Sequence, residues 1–560
     1  MSNADANVVN KPLITTLKDG FFLGAKQPQP APESNNFTAI EKFIDGDVSG
    51  ILATVNSEIN KLTPQEISNV MFVVGIWKFQ FSKRNKSWYL KGLYFDGFIK
   101  LLTSLGFYKR YRSDKQSYVL IREVGSIITE IELSHIKDAV FNPSNLQFND
   151  LQFSYKNEDF HIKRDMLREV YLQQFNNVVN ANFLGHLNTH DKPVYRDNNN
   201  TTFLFFRNGV VTITKNNCEL TSYSEVKTHC VWREHILARP FEFDEQFNEC
   251  HFSQFISNVA GSDSERINAF TSGTGYLINN YSSPAIGRAV ILYDEEITDL
   301  KNPEGGTGKG VYSNALAQLR NVTKLDGKRF DPSDRFRYQL LSDHTQVVWI
   351  DDAPRKFGFD VFHSVLTDGW NVERKNKPEI FIKPEDSPKL LLTSNSVVDG
   401  GGNTNERRQF IIEFAPYYKD LQKQGFIEPI KYVHGCIFFD DTDWDTSEWN
   451  RFYSFMVHCV QYYHQNGLVF YKPKNVNRNR LLQSTNTDFA QWITGDEVIL
   501  NEWHDTKELF LDYKETAGDP DLKQRTFTEF IKQYAGIFNY LYENKRANGK
   551  SMFKISQISL

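Results

Sequence analysis

Three short apolar runs, with charged or polar residues at their ends, constrain the fold of this chain more than any other feature. The runs are Ala289–Tyr293, Gln346–Ile350 and Lys389–Ser394, and helical patterns such as Val311–Arg320 lie between them. Strands that are apolar on both faces and alternate with helices are typical of a parallel sheet covered on both sides. The sequence therefore predicts a mostly parallel α/β core at residues 286–418.

A glycine-rich segment, PEGGTGKG, follows the first of these strands at Pro303–Gly310. Glycines let backbone N–H groups turn inward around phosphate oxygens, a lysine can reach the β and γ phosphates, and a helix start adds positive potential. A glycine-rich surface turn with an incidental lysine is the alternative. The candidate nucleotide-binding residues are Gly305, Gly306, Thr307, Gly308, Lys309 and Gly310.

Polar side chains follow the next two apolar runs. Asp351 and Asp352 end VVWIDD, and Asn395 ends PKLLLTSN. One acid can hold Mg²⁺, here Asp351, while the other and the amide orient the water that attacks a phosphate. Arg407 and Arg408 then open ERRQFIIEF, and guanidinium groups suit the charge that develops in phosphoryl transfer. Taken singly, the acid pair also fits an acidic turn, Asn395 fits a strand-end cap, and the arginine pair fits a solvated surface feature.

In this order the motifs resemble a superfamily 3 helicase, the AAA+ type of phage, viral and plasmid replication proteins. They are similar to poxvirus-type and phage primase-helicase C-terminal modules, over roughly residues 241–470. The resemblance implies ATP and Mg²⁺ as cofactors and Walker A at Gly305–Gly310. It also implies Walker B at Asp351 and Asp352, a sensor at Asn395, and an arginine finger among Arg407 and Arg408.

The resemblance further implies a DNA-contacting hairpin, which maps to GWNVERKNKPEIFI at Gly369–Ile382, with Arg374, Lys375 and Lys377 at its tip. Two alternating segments around a polar basic tip indicate a hairpin on their own, although an ordinary solvated turn has the same pattern.

Three features depart from the full phosphate-loop pattern. Pro303 replaces the first glycine, and Gly310 stands where a Ser or Thr hydroxyl would bind Mg²⁺, with Ser313 one turn further on. An acidic insertion, Asp294–Asp299, separates the strand from the loop, and its sequence offers no physical account of its presence.

The flanks of the core are expected to differ in character. The fold class expected is multidomain α+β around a central α/β AAA+ P-loop core, with helical flanks and a C-terminal winged helix. RTFTEFIKQYAGIF and the basic segment after it predict a recognition-type helix followed by a two-stranded wing. The expected segments are a disordered tail at 1–40, an α+β domain at 41–240, a helical segment at 241–285, the core at 286–418, a helical domain at 419–516 and the winged-helix-like unit at 517–560.

Composition limits location and partners. No apolar run approaches the roughly 18 residues that a transmembrane helix needs, so no membrane partner is expected. Five scattered cysteines indicate a cytoplasmic protein. The net charge of −5 means that DNA binding must rely on local basic surface. One such surface is Lys78–Arg122, whose eleven lysines and arginines face two aspartates among several aromatics; the alternative is a core of aromatics under solvated cations.

The leading interpretation is an ATP-dependent DNA helicase that replicates a phage or mobile element. It would act on single-stranded and forked duplex DNA as a homo-oligomeric ring, with a hexamer expected and any primase on a separate chain. Two alternatives stay open. One is an AAA+ ATPase that remodels a protein–DNA complex without unwinding, and the other is a non-hydrolysing nucleotide switch, which Gly310 suggests.

Overall fold

The structure is a computed structural model that describes residues 77–82, 84, 87–112, 117–141, 151–155, 158–296, 305–354, 357–395, 407–473, 475–495 and 498–557. The predicted tail at 1–40, together with Pro303 and Glu406, lies outside these ranges. The chain divides into two units, residues 1–193 with 227–233, and residues 194–226 with 234–560.

The first unit is a mixed α+β assembly, as the sequence predicts. Its four-stranded sheet has the order β11-β5-β4-β3, and two further strand pairs are antiparallel. The apolar stripe of Leu93–Phe107 forms helix α1, which buries Phe98, Leu101 and Leu102. The elements are β1 Trp77–Ser82, β2 Ser87–Leu93, α1 Phe95–Ser104, β3 Phe107–Tyr111, β4 Tyr118–Val124, β5 Ile127–Glu130, α2 Leu133–Phe141, β6 Leu151–Tyr155, β7 Glu158–Ile162, α3 Arg164–Val178, α4 Ala181–Leu184 and β11 Val231–Trp232.

The second unit begins with an antiparallel sheet of β8 Thr201–Phe206, β9 Gly209–Thr214 and β10 Cys218–Thr221. Phe206 pairs with Gly209, so β8 and β9 form a hairpin whose two-residue turn is Arg207 and Asn208.

The prediction that residues 241–285 are helical throughout is wrong at its ends. Two helices occur, α5 His251–Val259 and α6 Ser264–Ile278. Each begins where a side chain caps it. The Sγ atom of Cys250 accepts from the N–H of Ser253, and the carboxylate of Asp263 accepts from the first amides of α6. These caps satisfy N–H groups that would otherwise lack partners, and so they fix where the helices start.

The central sheet has five parallel strands in the order β13-β14-β17-β12-β18. The predicted parallel sheet is therefore confirmed. Its register places Ala289 beside both Leu390 and Gln409, and Val347 beside both Val322 and Lys389. Its elements are β12 Ala289–Asp294, α7 Lys309–Ala317, β13 Val322–Asp326, β14 Val347–Asp351, α8 His363–Thr367, β15 Trp370–Arg374, β16 Lys377–Ile382, β17 Lys389–Thr393 and β18 Gln409–Phe414.

Both faces of this sheet are covered, because its strands alternate between two apolar clusters. Val290 and Leu292 pack on one side with α5, α6 and α7. Ile291 and Tyr293 pack on the other with the β15–β16 hairpin. Alternate residues of a strand point to opposite faces, so an uninterrupted apolar run is what this position requires.

The rest of the second unit is mostly helical and ends in a small antiparallel sheet. The long amphipathic helix α11 begins where the Asp445 carboxylate accepts from the Glu448 N–H at 2.7 Å. The elements are α9 Tyr417–Lys423, α10 Pro429–His434, α11 Thr446–Asn466, α12 Val476–Ser484, α13 Thr487–Trp492, β19 His504–Asp505, α14 Thr506–Ala517, α15 Gln524–Ile537, β20 Tyr540–Ala547 and β21 Lys550–Gln557.

Candidate functional site

The topology of the central sheet opens a crevice at one of its edges. The connection that leaves β12 crosses to β13 at the far edge, whereas the connection that leaves β14 returns to β17 beside β12. Helix α7 of the first connection and the β15–β16 hairpin of the second pack on opposite faces. Ligands of open α/β sheets bind beyond the carboxyl ends of the strands where connections diverge in this way.

The glycine-rich loop lies at this edge and leads directly into α7. The helix begins at Lys309, two residues before the predicted start, because Gly308 adopts a left-handed φ of 105° as its N-cap. Gly306 has a similar φ of 106°, which side chains rarely tolerate. A Cβ at Gly308 would lie 2.8 Å from the Phe255 ring, so packing against α5 also requires glycine there.

Lys309 is buried beneath the loop in contact with the carboxylate of Asp294, the last residue of β12. The hydroxyl of Thr307 donates to the same carboxylate at 2.5 Å. Burial lowers the pKa of Lys309, and the neighbouring carboxylates of Asp294 and Asp352 oppose that shift. The first residue of the unexplained acidic insertion is thus the counter-ion of Lys309. Asp294 ends the buried strand that precedes the loop, just as Asp351 ends β14. That pattern is the sequence signal that could have identified Asp294.

The acids after β14 and the amide after β17 are held together by Thr393, which the sequence analysis missed. The Thr393 hydroxyl donates to Asp351 at 2.8 Å and accepts from the Asp352 N–H at 3.1 Å. Asn395 Nδ2 donates to Asp352 Oδ1 at 3.2 Å. Asn395 also borders the phosphate loop, since a Cβ at Gly305 would lie 3.9 Å from its Nδ2. Thr393 is the last residue of the buried strand β17, and a polar residue in that position is the sequence signal that could have identified it.

Two lysines from the neighbouring strand edge pair with these acids. Lys324 Nζ lies 2.7 Å from Asp351 Oδ2, and Lys328 Nζ lies 2.5 Å from Asp352 Oδ2. Both lysines are more than half exposed. Because exposed pairs contribute little to stability, either carboxylate can exchange its lysine for another cation at low cost.

A second buried lysine, Lys419 on α9, also approaches the loop. It is 5% exposed, and its charge lowers the pKa of Lys309. From the same helix, the Oε1 of Gln422 would lie 2.9 Å from a Cβ at Gly306. Helix α9 therefore covers the loop with a cation and an amide. Nothing in the sequence indicates that Lys419 or Gln422 belongs to the site, apart from their position shortly after the last strand of the sheet.

The residues at this edge fit a magnesium-nucleotide. Left-handed glycines, a helix start and a buried lysine suit phosphate oxygens. Mg²⁺ is commonly held by one or two carboxylates together with substrate phosphates and water, and Asp351 and Asp352 provide that number. Among the described residues no cluster of three or more His, Cys, Asp or Glu could hold a metal without such help. The hydroxyl of Ser313 donates to Lys309 O at 3.0 Å within the helix.

Arg407 and Arg408 lie at the amino ends of the strands, whereas the phosphate loop lies beyond their carboxyl ends. They precede β18, the edge strand, and their carbonyl oxygens accept from the Arg288 guanidinium and from the Ala289 N–H at the start of β12. Arg407 is exposed, and Arg408 is partly exposed. Six residues of strand at ~3.3 Å each separate this edge from the phosphate loop, a distance of ~20 Å.

The predicted hairpin at Gly369–Ile382 is confirmed as β15 and β16. Its base is fixed in the core, where Trp370, Val372 and Ile380 are buried. Its turn carries exposed Lys375 and the left-handed Asn376, while Arg374 is half-buried. The backbone of Lys377 opens β16, but its side chain is outside the described part of the structure. The β15–β16 hairpin thus has a buried base and a tip that carries basic residues.

The basic, aromatic stretch of the first unit uses several cations internally. Lys109 donates to Gly185 O at 2.7 Å, Arg110 to Lys192 O at 2.8 Å and Arg122 to Leu105 O at 3.2 Å. These bonds favour a structural role for the three cations over a phosphate-binding one. In the described part of the chain, no helix is long and apolar enough to cross a bilayer.

Comparisons with known proteins return only distant structural similarity. No family model and no curated protein matches the chain. The NrS-1 C-terminal region (305–718) is 12% identical over 82% of this chain and 98% of its own, with a TM-score of 0.36. SCCmec type IV Cch, an active helicase, is 10% identical over 73% and 90%, with a TM-score of 0.25. JCV helicase is 14% identical over 38% and 68%, with a TM-score of 0.19. Similarities this distant do not decide a function, which rests on the site itself.

Proposed function

We propose that this chain is an ATP-dependent DNA helicase of the superfamily 3 type, which hydrolyses ATP at the subunit interfaces of a homo-oligomeric ring. The observation that carries the proposal is the convergence of Lys309, Asp352 and Asn395 from three separate segments at the carboxyl edge of one parallel sheet. These residue types are the ones that phosphoryl transfer needs, and the strand order is compatible with a P-loop core.

Binding would begin at the glycine-rich loop. Backbone N–H groups of Gly305–Gly308 and the start of α7 would donate to phosphate oxygens, and Lys309 would exchange Asp294 for the β and γ phosphates. Asp351, with phosphate and water ligands, would hold Mg²⁺, which neutralises phosphate charge when bound. The missing hydroxyl at Gly310 leaves Asp351 as the metal ligand that the protein would supply.

Hydrolysis would depend on Asp352 and Asn395. The Asp352 carboxylate would accept a proton from the attacking water, and Asn395 would hold both that carboxylate and the water in line with the γ-phosphorus. The new P–O bond forms as the bond to the β,γ-bridging oxygen breaks, and ADP leaves with that oxygen. Asp352 has a left-handed φ of 56°, and such backbone strain at a non-glycine residue is common at functional sites.

The position of Arg407 and Arg408 supports the proposal of a ring. The ~20 Å of strand between them and the phosphate loop of their own chain exceeds the length of an arginine side chain. A finger in this position would therefore act on nucleotide bound to a neighbouring subunit. A closed ring repeats that contact at every interface, and a hexamer is the expected size.

DNA contact is assigned to the β15–β16 hairpin. Lys375 at the turn, with Arg374 and Lys377 beside it, would bind backbone phosphates of a single strand in the ring channel. The buried base of the hairpin connects this tip to the strands that carry Asp351 and Asn395, so movement of the tip and turnover of ATP can be coupled.

The test measures ATP turnover and unwinding of a forked duplex in the same preparations. Lys309→Ala should abolish hydrolysis and weaken ATP binding, and Asp352→Asn should keep binding but lower turnover ~10²–10⁴-fold. Lys375→Ala should lower DNA-stimulated turnover and unwinding. Lys431→Ala and Asp360→Asn, which alter exposed groups elsewhere, are the matched controls.

Each outcome separates the hypotheses. Wild-type hydrolysis by both site variants would refute the assignment of the phosphate site. Turnover without unwinding would favour the remodelling ATPase, and nucleotide binding without turnover in the unmodified chain would favour the switch.

A further inference from the structure

The C-terminal part of the chain has an apolar core of its own. Twelve buried residues between Leu481 and Ile555 form one cluster, separate from the two clusters of the central sheet. Its strands pair in the order β19-β21-β20, all antiparallel. The element order is helix α13, strand β19, helices α14 and α15, then the β20–β21 hairpin. This is the order of a winged helix. The unit therefore starts before the expected boundary at residue 517, because it includes β19 and α14.

Helix α15 occupies the position of a recognition helix. It packs inward through Phe527, Ile531 and Ala535, which recur every four residues. Its opposite face is exposed and carries Arg525 and Gln533, together with a Lys532–Glu529 ion pair at 3.0 Å. Arginine and glutamine form bidentate bonds with guanine and adenine edges, respectively. At 14 residues the helix is ~21 Å long, enough to lie in a major groove ~12 Å wide.

The hairpin beside it is strongly basic. Residues 540–557 contain four cations, Lys545, Arg546, Lys550 and Lys554, and the single acid Glu543. Lys545, Arg546 and Lys550 are exposed around the turn. The other acids of this unit lie on several elements, among them Asp505 on β19, three acids on α14 and Glu529 on α15. Cations outnumber acids most strongly in the hairpin.

Two of the four wing cations form ion pairs. Lys550 Nζ lies 2.8 Å from Asp505 Oδ2, and Lys554 Nζ lies 2.6 Å from Glu543 Oε2. Lys545 Nζ lies 3.8 Å from the centre of the Trp503 ring. The lysine therefore covers a face of the indole ring on which a base could otherwise stack. Proteins that bind single strands rely on open aromatic faces, so this surface fits duplex DNA better.

We propose that the C-terminal unit is a second DNA site, separate from the hairpin of the ATPase core, that binds duplex DNA. Helix α15 enters the major groove with Arg525 and Gln533 toward the base edges, and Lys545, Arg546 and Lys550 bind flanking phosphates. The site would hold the chain on a duplex segment while the ring acts on a single strand.

The experiment measures fluorescence anisotropy of a labelled mixed-sequence duplex of about 30 base pairs with the full chain, without nucleotide, over a range of KCl concentrations. Each phosphate contact contributes ~0.9 to the slope of log K against log salt. Replacing Lys545, Arg546 and Lys550 together with glutamine should flatten the slope by about three and weaken binding at least tenfold. The matched control, Lys507→Gln with Lys514→Gln on α14, should leave both unchanged.

Two further measurements keep the proposal refutable. Lys545→Gln with Arg546→Gln spares the ion pair to Asp505 and should flatten the slope by about two. Gln533→Ala, which removes no charge, should narrow the spread of affinities across a panel of duplex sequences without altering the slope. Equal slopes for the wing variants and the control, or a single strand that competes as well as the duplex, would overturn the proposal.

The outcome is independent of the ATPase. A chain that shows the predicted wing dependence but hydrolyses no ATP supports this inference and refutes the helicase proposal. A chain that hydrolyses ATP but binds duplex equally well with and without the wing cations refutes this inference and leaves the helicase proposal standing.

Discussion

The buried contact between Lys309 and Asp294 makes a counter-intuitive prediction about nucleotide affinity. In the structure Asp294 holds the lysine that the phosphates would need, so the two compete for one cation. Replacing Asp294 with asparagine keeps an acceptor for the Thr307 hydroxyl but removes the charge. We expect the variant to be less stable without nucleotide and to bind ATP more tightly.

The magnitude follows from burial. The side chains of Lys309 and Asp294 are 9% and 3% exposed, and removal of one partner from a buried pair costs ~3–5 kcal/mol. Bound phosphates would replace the missing charge and restore a part of this loss. If they restore ~2 kcal/mol, ATP affinity rises roughly 30-fold. The pKa of Lys309, already lowered by burial, falls further in the variant because the Asp294 carboxylate no longer opposes that shift.

Urea unfolding with and without nucleotide, together with titration of a fluorescent ATP analogue, measures both effects. Asp360→Asn, which alters a carboxylate whose side chain is 79% exposed, is the matched control and should change neither. A variant that unfolds at the wild-type urea concentration and binds the analogue more weakly would refute the reasoning, because Asp294 would then support the loop instead of competing with the phosphates.

Three further predictions concern other charged groups. A chain with Arg407→Ala and Arg408→Ala, mixed with a Lys309→Ala chain, should regain part of the ATPase activity that each lacks alone; mixed rings that stay inactive, shown by mass to contain both chains, would contradict a finger acting in trans. Lys419→Ala should lower ATP affinity about tenfold, measured by the same titration, and unchanged affinity would remove Lys419 from the site. Burial lowers the pKa of His235 to about 3, so the folded state keeps it neutral while the unfolded chain takes up a proton. Stability should therefore fall as pH drops from about 6.5 toward 3, by roughly 2 kcal/mol at pH 5, and His235→Gln should remove that part of the slope in urea titrations.

Features encoded by neighbouring residues could be predicted from the sequence. The apolar runs became β12, β14 and β17 because a strand buried on both faces must be apolar throughout. The hairpin at residues 369–382 followed from alternation around a polar tip. Helix starts were less predictable: α7 begins at Lys309 because Gly308 takes a left-handed φ, and a loop's conformation depends on what packs against it, here Phe255 of α5.

The sequence alone determined which residue types follow each strand of the parallel core, since strand patterns and glycine loops are local. Tertiary structure decided what those residues face. Strand order placed Asp294 against Lys309 and separated Arg407 from the phosphate loop of its own chain. Helix α9 brought Lys419 to the same loop from more than a hundred positions away. Pairings between distant segments depend on which strands lie side by side, and strand order is a property of the packed sheet as a whole.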